Sequence, residues 1–195
     1  MSDTSTSLLD RLRYEPDQAD WNRLADVYSP LIRNWLRRYD VNSEDGNDVV
    51  QEVMMVVVRR LSEFEHNNRT GAFRNWLRTI TVNCLRDFWR AQRIRPKAQG
   101  GSDFQLILAE MEDPTSNLSQ IWNQEHDLHV TKHLLKQIQT EFNEKTWEAF
   151  SLVVQEGVAP KDAAAQLGTT VNAVFIAKSR VLARLREEAK GLLDE

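Results

Sequence analysis

The stretch SEDGNDVVQEVMMVVVRR, at residues 43–60, predicts an amphipathic helix that begins near Ser43. Ser43 is a good N-cap residue, and the early acidic and late basic side chains suit the helix macrodipole. Apolar residues recur at three- and four-residue steps, which predicts a buried stripe made of Val49, Val53, Val56, Val57 and Leu61. Outside this stripe lie Asp48, Gln51, Glu52, Met55 and Arg59.

Two further helical patterns flank this one. The earlier pattern has apolar residues at helical spacing, namely Trp21, Leu24, Tyr28, Leu31, Trp35 and Leu36. Pro30 within it predicts either a kink or a new helix start. The polar residues 65–71 indicate a loop, and a third helix follows from about Ala72 to Arg93. Its predicted apolar face comprises Phe73, Trp76, Leu77, Ile80, Cys84 and Leu85, and arginines occupy the other face.

The second half of the chain predicts another group of helices after a linker. Pro96–Ser102 ends the first group, and the linker is expected to be partly ordered, with room for a short helix. Helices resume near Leu128, with a predicted stripe of Leu128, Thr131, Leu135, Ile138 and Phe142. A short alanine-rich helix, a turn at Gly168 and a basic helix of about 171–188 predict a helix-turn-helix, with Val171, Val174, Val181 and Leu185 buried.

Composition excludes several classes of protein. The 195 residues include 41% hydrophobic and 28% charged side chains, but only 7 glycines and 5 prolines, which argues against fibrous and low-complexity chains. Cys84 is the one cysteine, so neither an intramolecular disulfide nor a cysteine zinc site is expected. No apolar run approaches the roughly 20 residues of a membrane span. With no signal-like N-terminus, the sequence predicts a cytoplasmic protein.

Charge is distributed in blocks that the net value of −4 conceals. Residues 69–97 contain eight basic side chains and one acid, whereas residues 98–130 contain six acids and no lysine or arginine. Residues 173–186 are basic again. Clustered positive charge on helices is typical of nucleic-acid binding.

The helix-turn-helix indicates DNA reading by its second helix, where Asn172, Lys178, Ser179 and Arg180 lie off the buried stripe. The alternative is a helical hairpin that does not touch DNA. In the arginine-bearing helix, the rings of Phe73, Trp76, Phe88 and Trp89 could stack on unpaired bases, although Trp76 on the apolar stripe favours core packing.

Catalytic and metal-binding signatures are weak. His126, His129 and His133 share one predicted helix face and could hold zinc, but the favoured interpretation is a polar helix, so no metal and no cofactor are predicted. The sequence contains no glycine-rich phosphate loop, no HExxH and no nucleophile elbow. Cys84 lies on an apolar face, where an inert thiol is expected. No enzymatic activity is predicted.

Two segments together resemble a known family. Asp48–Met55 (DVVQEVMM), Phe73–Asn83 (FRNWLRTITVN), Asp87 and Arg90 are similar to region two of the bacterial sigma-70-type factors. Residues Lys161 to Arg186 resemble region four. At this length the chain has no room for region three, so it resembles the compact extracytoplasmic-function (ECF) sigma factors.

The resemblance implies a subunit that binds core RNA polymerase, recognises promoter DNA and helps to open it. It implies polymerase contacts with the clamp helices of the beta-prime subunit and with the beta flap, the former through Asp48, Gln51, Glu52, Met55 and Arg59. The −10 element would be bound by Asn67, Asn68, Arg69, Thr70, Asn83, Arg86, Arg90 and Arg93. The −35 element would be bound by Thr170, Asn172, Phe175, Lys178, Ser179 and Arg180. An anti-sigma protein is a further partner that many relatives have.

The expected organisation is therefore all-α, with region two over residues 10–97, a flexible acidic linker over 98–127 and region four over 128–190.

Two departures from the family pattern stand out. Phe175, Ile176 and Ala177 replace a Lys-Ser-Arg-like run, which predicts contact with a thymine methyl or a protein-contact patch. Arg78 occupies a position where tyrosine is common. Two alternatives remain open: a stand-alone helix-turn-helix regulator, or a helical adaptor that sequesters a partner through the acidic segment.

Overall fold

The computed structural model describes residues 7–39, 41, 43–64, 71–92, 109–110, 112–113 and 115–193. Every regular element in these ranges is helical, which confirms the all-α prediction. The helices are α1 (Leu8–Tyr14), α2 (Gln18–Leu36), α3 (Ser43–Arg60), α4 (Ala72–Gln92), α5 (Asn117–Ile138), α6 (Glu144–Phe150), α7 (Pro160–Gln166) and α8 (Val171–Ala189). None of the helices in the described ranges has the length and apolarity needed to cross a membrane.

The described residues form two compact units. One is Leu8–Val130 together with residues 191–193, and it contains α1 to α4 and the first part of α5. The other is Thr131–Lys190, which contains the second half of α5 and α6 to α8. We call them the N-terminal unit and the C-terminal unit.

Helices α1 and α2 begin the N-terminal unit. The Asp17 side chain caps α2 by accepting a 2.7 Å hydrogen bond from the Asp20 amide. Pro30 lies inside α2, which continues to Leu36, so the helix does not restart there. Helix α1 was not expected from the sequence. It is tied to α2 by Arg11, whose Nε lies 3.0 Å from a carboxylate oxygen of buried Asp20.

Helix α3 begins at Ser43 as predicted, and α4 begins and ends within one residue of the predicted range from Ala72 to Arg93. In α3 and directly after it, Val49, Val53, Val57 and Leu61 are buried as the spacing predicts. The prediction for Val56 is only partly right, because that residue is half-buried while Val50 is fully buried. The stripe is therefore wider than a single row, as expected for a helix packed against two neighbours.

Helix α5 begins earlier than the sequence suggested. It starts at Asn117, so the second half of the expected linker is helical. Its buried stripe recurs every four residues and comprises Trp122, His126, Val130, Leu134 and Ile138. Leu128, predicted to start the stripe, is 73% exposed, and that prediction is wrong. The stripe includes a histidine and is flanked by polar residues, so hydrophobic periodicity alone did not mark it.

The helix-turn-helix lies in the C-terminal unit. Its core contains Ala149, Ala163, Ala164, Val174 and Ala177, with Leu152, Val153, Val158 and Leu167 packed against them. Gly168 has a φ of +59°, the left-handed conformation that glycine adopts without steric cost, and it reverses the chain between α7 and α8. Val171 is exposed, contrary to the predicted burial, because it lies in the first turn of α8 beyond this core.

Candidate nucleic-acid interface

An outward polar stripe runs along α4. It consists of polar residues one or two helical turns apart: half-buried Asn75, followed by exposed Thr79, Asn83 and Arg90. Arg86 is half-buried beside them, with its Nη1 donating to the Asn83 amide oxygen at 3.4 Å. Arg90 Nη1 lies 2.9 Å from the Asp87 carboxylate on the solvent side. The structure therefore places Asn83, Arg86 and Arg90, three of the predicted −10 residues, on one helix face.

The remaining predicted −10 residues, Asn67, Asn68, Arg69, Thr70 and Arg93, lie outside the described residues. Gly71, which follows the loop, is buried and has a φ of +71°. A Cβ at this position would lie 2.7 Å from Arg74 Nη2, so only glycine fits here without displacing the arginine. The end of the loop is thus packed directly against the Arg74 guanidinium.

Two arginines of α4 are buried, contrary to the expectation that the arginines all occupy the polar face opposite the apolar one. Arg74 is 8% exposed and Arg78 is 4% exposed. Arg74 Nη1 donates to both carboxylate oxygens of Asp127 in α5, at 2.7 and 2.8 Å. The cause is the early start of α5, which brings an acidic residue from the expected linker onto this side of α4.

Asp127 also joins a buried polar chain. His126, fully buried, has its Nδ1 2.9 Å from Asp127 Oδ1 and its Nε2 3.2 Å from the Tyr28 hydroxyl. Burial, helped by the charge of Asp127, raises the pKa of Tyr28 well above its usual range, so the hydroxyl keeps its proton and can donate to His126. Burial opposes ionisation of Asp127, but hydrogen bonds from His126 and Arg74 outweigh it and lower the pKa of that carboxyl.

Arg78 has a different electrostatic setting. Burial and the neighbouring charge of Arg74 lower the pKa of Arg78, while the charge of Asp113 raises it. Its Nη1 atom is buried and has no hydrogen-bond partner within the described ranges. An incompletely satisfied buried cation of this kind favours a nearby anion.

The aromatic residues of α4 pack mostly in the core. Phe73 and Trp89 are buried, so the suggestion that they stack on bases is wrong. Trp76 is half-buried, with its ring centroid 5.0 Å from that of Phe64 and 5.6 Å from that of Phe73, as core packing requires. Phe88 is half-buried.

Helix α3 presents a separate face. The predicted polymerase-contacting residues all lie on it and all are exposed: Asp48, Gln51, Glu52, Met55 and Arg59. Met55 is 44% exposed and Val58 beside it is also exposed, so the face combines carboxylates with apolar side chains. Behind it, burial, with smaller contributions from Glu52 and Asp87, raises the pKa of Cys84 to about 11. This thiol stays protonated at neutral pH and is chemically quiet.

In the C-terminal unit the predicted −35 residues lie on α8 and its cap. The Thr170 hydroxyl caps α8 by accepting a 3.1 Å hydrogen bond from the Ala173 amide. Asn172, Phe175, Ser179 and Arg180 are exposed, and Lys178 is half-buried. Phe175 and Ile176 are 49% and 50% exposed, so this surface is partly apolar.

Arg184, counted with the second basic block, is held inside the unit. Its Nε lies 2.6 Å from Glu141 and its Nη2 lies 2.5 Å from Glu188. Burial alone would lower the pKa of Arg184, but hydrogen bonds to the two glutamates raise it overall. Only the outward members of the block remain open to a ligand.

The histidines do not converge on a metal. His129 Nε2 lies 2.7 Å from the Val27 carbonyl oxygen, and His126 is engaged by Tyr28 and Asp127. No group of three or more potential ligands converges anywhere in the part of the chain that the structure describes.

Sequence reasoning missed the acidic partners of the α4 side. Glu112 forms an ion pair with Arg86 and Asp127 with Arg74, whereas Glu125 pairs with Arg38, which follows α2. The available signal was the adjacency of a +7 block and a −6 block in the chain. Adjacent blocks of opposite charge indicate pairing but not which residues meet.

These helices define an all-α protein, in which α7, the turn at Gly168 and α8 form a helix-turn-helix. Residues 24–94 match the family model for sigma-70 region 2. Over that segment the chain is similar to the sigma-70 family, and the relatives that it matches are ECF sigma factors. Members of this family are, in general, non-enzymatic transcription initiation factors.

Named relatives agree with this assignment. The chain is 33% identical over 123 residues to the ECF RNA polymerase sigma-E factors of Escherichia coli strain K12 and Salmonella typhimurium strain LT2. That match covers 63% of this chain and about 60% of the length of these relatives. The RNA polymerase sigma factor NccH of Alcaligenes xylosoxydans xylosoxydans is 27% identical over 196 residues, covering 99% of this chain and 97% of that protein.

Proposed function

We propose that this chain is a sigma factor that binds core RNA polymerase, recognises −10 and −35 promoter elements and promotes DNA opening, without catalysis of its own. The observation that carries the proposal is the outward stripe of Asn83, Arg86 and Arg90, which lies inside the segment that matches region 2. Such a factor acts in the cytoplasm, where polymerase and promoter DNA are found.

The exposed face of α3 is the proposed polymerase contact. Asp48 and Glu52 supply charge, and Met55 supplies apolar area that a partner surface can bury. Aromatic, methionine and arginine side chains are enriched at protein interfaces. We assign this face to the clamp helices of the beta-prime subunit, and we assign the beta flap to the C-terminal unit.

The −10 element is the proposed ligand of α4 and the preceding loop. Arginines on the helix supply affinity for the phosphates without reading sequence. Asn67, Asn68, Arg69 and Thr70 would hold a base turned out of the duplex, with Asn83 near that pocket. Base extrusion costs a few kcal/mol, and only a base that fits the pocket offsets this cost through its contacts. The pocket therefore selects the sequence and helps to open the DNA.

The −35 element is the proposed ligand of α8. A recognition helix reads base edges from its first turns and holds phosphates on either side. Asn172 and Arg180 can donate hydrogen bonds, and exposed Phe175 fits a thymine methyl group. An anti-sigma protein that covers one of these surfaces in resting cells is a further proposed partner.

The deciding experiment combines the chain with core polymerase and a pool of promoter templates. Specific run-off transcripts support the proposal. A stand-alone helix-turn-helix regulator would bind duplex DNA but start no RNA synthesis, and an adaptor would bind protein without DNA. Either of those results would refute the proposed activity.

Substitution of Asn83 tests the −10 assignment. We expect Asn83→Ala, and likewise Asn68→Ala, to reduce open-complex formation about 10-fold, the effect of losing roughly 1–3 kcal/mol of base contact, while polymerase binding stays unchanged. The matched control is Asn34→Ala on the exposed side of α2. Unchanged run-off transcription by folded Asn83→Ala would remove this residue from the site.

Charge reversal tests the polymerase face. We expect Glu52→Lys to weaken polymerase binding about 10-fold, because like-charge placement at an interface is strongly unfavourable. Glu15→Lys, at an exposed carboxylate after α1, is the control of equal charge. A pull-down of normal strength with Glu52→Lys would exclude α3 from the interface.

A further inference from the structure

Two adjacent apolar side chains are exposed on helix α8. Phe175 is 49% exposed and Ile176 is 50% exposed, whereas Val174 before them and Ala177 after them are buried in the core of the helix-turn-helix. Contact with water forfeits the free energy that burial of such side chains contributes. A contiguous exposed apolar pair with polar residues around it is typical of a surface that a ligand covers.

The apolar pair occupies the middle of the outward face of α8. Successive residues lie about 100° apart around a helix axis, so the buried row of residues fixes the opposite, outward direction. That row comprises Val174, Ala177 and Val181. The direction opposite it passes between Phe175 and Ile176. Exposed Asn172 lies one turn before the pair and exposed Ser179 one turn after it, so this outward line has no charged side chain between them.

Basic side chains lie on both edges of the outward line. Lys178 and Arg180 are two residues apart, which places them about 160° from each other around the helix, one on each side of the line. Residues 163–186 contain four basic side chains and no acid. A neutral centre with cations on both sides complements a DNA major groove, where base edges lie between two phosphate backbones.

The side chains on the outward line indicate which base pairs they can read. Guanine is read mainly by arginine or lysine, which donate to its O6 and N7 atoms, and neither residue type lies on the line from Asn172 to Ser179. Thymine presents its C5 methyl group in the major groove, and apolar side chains contact it. Asparagine pairs with the N6 and N7 atoms of adenine. The centre of the face is therefore suited to A·T pairs and not to G·C pairs.

A protein partner fits this surface less well than duplex DNA. Two half-exposed side chains offer far less apolar area than the roughly 800 Å² per partner that a specific protein interface buries. Cations on both edges, without any acid between residues 163 and 186, also favour a ligand that is negatively charged on both sides.

We propose that Phe175 and Ile176 are the specificity-determining residues of the C-terminal unit and that they select thymine-bearing pairs of the −35 element through the thymine C5 methyl groups. This inference rests on the proposed function, since it names the chemistry by which the −35 surface reads sequence. Lys178 and Arg180 then hold the phosphates on the two sides of the groove and add affinity without sequence preference.

The test changes the DNA before it changes the protein. Promoters are first recovered as templates that give run-off transcripts with the full-length chain and core polymerase. Each thymine of the upstream element, on either strand, is then replaced by deoxyuridine, which pairs identically but lacks the methyl group. We expect at least one replacement to weaken binding of the wild-type holoenzyme about fourfold, the effect of losing one buried methyl group.

The protein variants show which side chains sense the methyl group. The double variant Phe175→Ala and Ile176→Ala should bind thymine and deoxyuridine templates equally, and α8 should persist because alanine is the better helix former. The control is Val154→Ala, which removes an exposed apolar side chain of the same unit that precedes the helix-turn-helix. This control should keep the fourfold difference between the templates.

Three results would overturn the inference while run-off transcription, and hence the proposed function, stands. They are an upstream element without thymine, equal binding of every deoxyuridine template by the wild-type holoenzyme, and a methyl effect that persists in the double variant. Weaker binding of the double variant to core polymerase without DNA, combined with no methyl effect, would instead identify the pair as a protein contact. If no template gives a run-off transcript, the sigma activity fails and the methyl contact fails with it.

Discussion

Helices α4 and α8 each carry a basic block of the sequence, but their arginines are neutralised in different ways. In α4, Arg74 and Arg86 pair with Asp127 and Glu112, which belong to a separate segment much later in the chain. In α8, Arg184 pairs with Glu188 of the same helix and with Glu141 of the same unit. Each basic block thus contains some arginines that form ion pairs within the fold and others whose side chains are exposed.

The difference lies in which contacts can be released. Arg184 is held by exposed Glu141 and by buried Glu188 of its own helix, so it stays paired even when Glu141 moves away. Arg86 is held by Glu112, an exposed residue, so freeing it requires only movement of that carboxylate. The two helices therefore differ in one ion pair: Arg184 of α8 has a buried partner, whereas Arg86 of α4 pairs with an exposed glutamate.

The largest expected effect tests whether the first half of α5 belongs to the N-terminal unit. Trp122 is buried with its ring 5.1 Å from that of Trp35, in edge-to-face contact. We expect Trp122→Ala to lower the opening free energy of α4 amides by about 4 kcal/mol in native-state hydrogen exchange. Exposed Leu128→Ala should change it by less than about 0.5 kcal/mol. If both variants changed the exchange of α4 amides equally, packing of Trp122 would not stabilise α4, and the proposed difference between α4 and α8 would lose its support.

An intermediate effect concerns the ion pair of Arg74. We expect Asp127→Asn to cost about 2 kcal/mol, less than a fully buried pair because Asp127 is partly exposed. The comparison is Glu141→Gln, where Arg184 keeps Glu188 and the loss should be under about 1 kcal/mol. Urea unfolding monitored separately in each unit by hydrogen exchange gives both values. A larger loss of stability for Glu141→Gln than for Asp127→Asn would contradict the prediction that the Arg74 pair matters more.

The Asp127 effect should depend on pH in a defined direction. The pKa of Asp127 in the folded chain lies below its unfolded value of about 3.9, so its stabilisation is complete above about pH 5. It is lost as pH falls through the folded-state pKa. The stability gap between wild type and Asp127→Asn should therefore narrow steadily below about pH 4, and a constant gap down to pH 2 would exclude the ion pair as its source.

The smallest expected effect sharpens the role of the α8 cap. We expect Thr170→Ala to destabilise α8 by about 1 kcal/mol, because the Ala173 amide loses its acceptor. Thr170→Ser keeps the hydroxyl and should retain most of this stability. Exchange of the Ala173 amide is the measurement. Equal exchange in both variants would show that Thr170 does not cap the helix.

Much of the fold was predictable because the relevant signals are local. The steps of Val49, Val53 and Val57 specified the buried side of α3, and the remaining positions specified its exposed face. Gly168 and the alanines of α7 marked the helix-turn-helix. In the candidate site, Asn83, Arg86 and Arg90 share a face because helical spacing requires it.

The rest of the site depended on contacts between distant residues. Periodicity did not distinguish buried Arg74 from exposed Arg90, because both are arginines of one basic block. The distinction arises only when Asp127 reaches Arg74 across 53 residues of sequence. Burial of Trp122 and exposure of Leu128 have the same origin, since the rotation of α5 is set by its packing partners.

The order of amino acids by itself determined that this chain is helical, where several of its helices begin and end, and that its second half contains a helix-turn-helix with a partly apolar exposed face. It also determined the alternation of basic and acidic blocks. Only the tertiary structure decided which charges are neutralised, because ion pairs between distant segments depend on how the helices pack. The spacing of apolar residues is a local property of the sequence. The burial and pairing of charged side chains arise only when distant segments of the chain pack together.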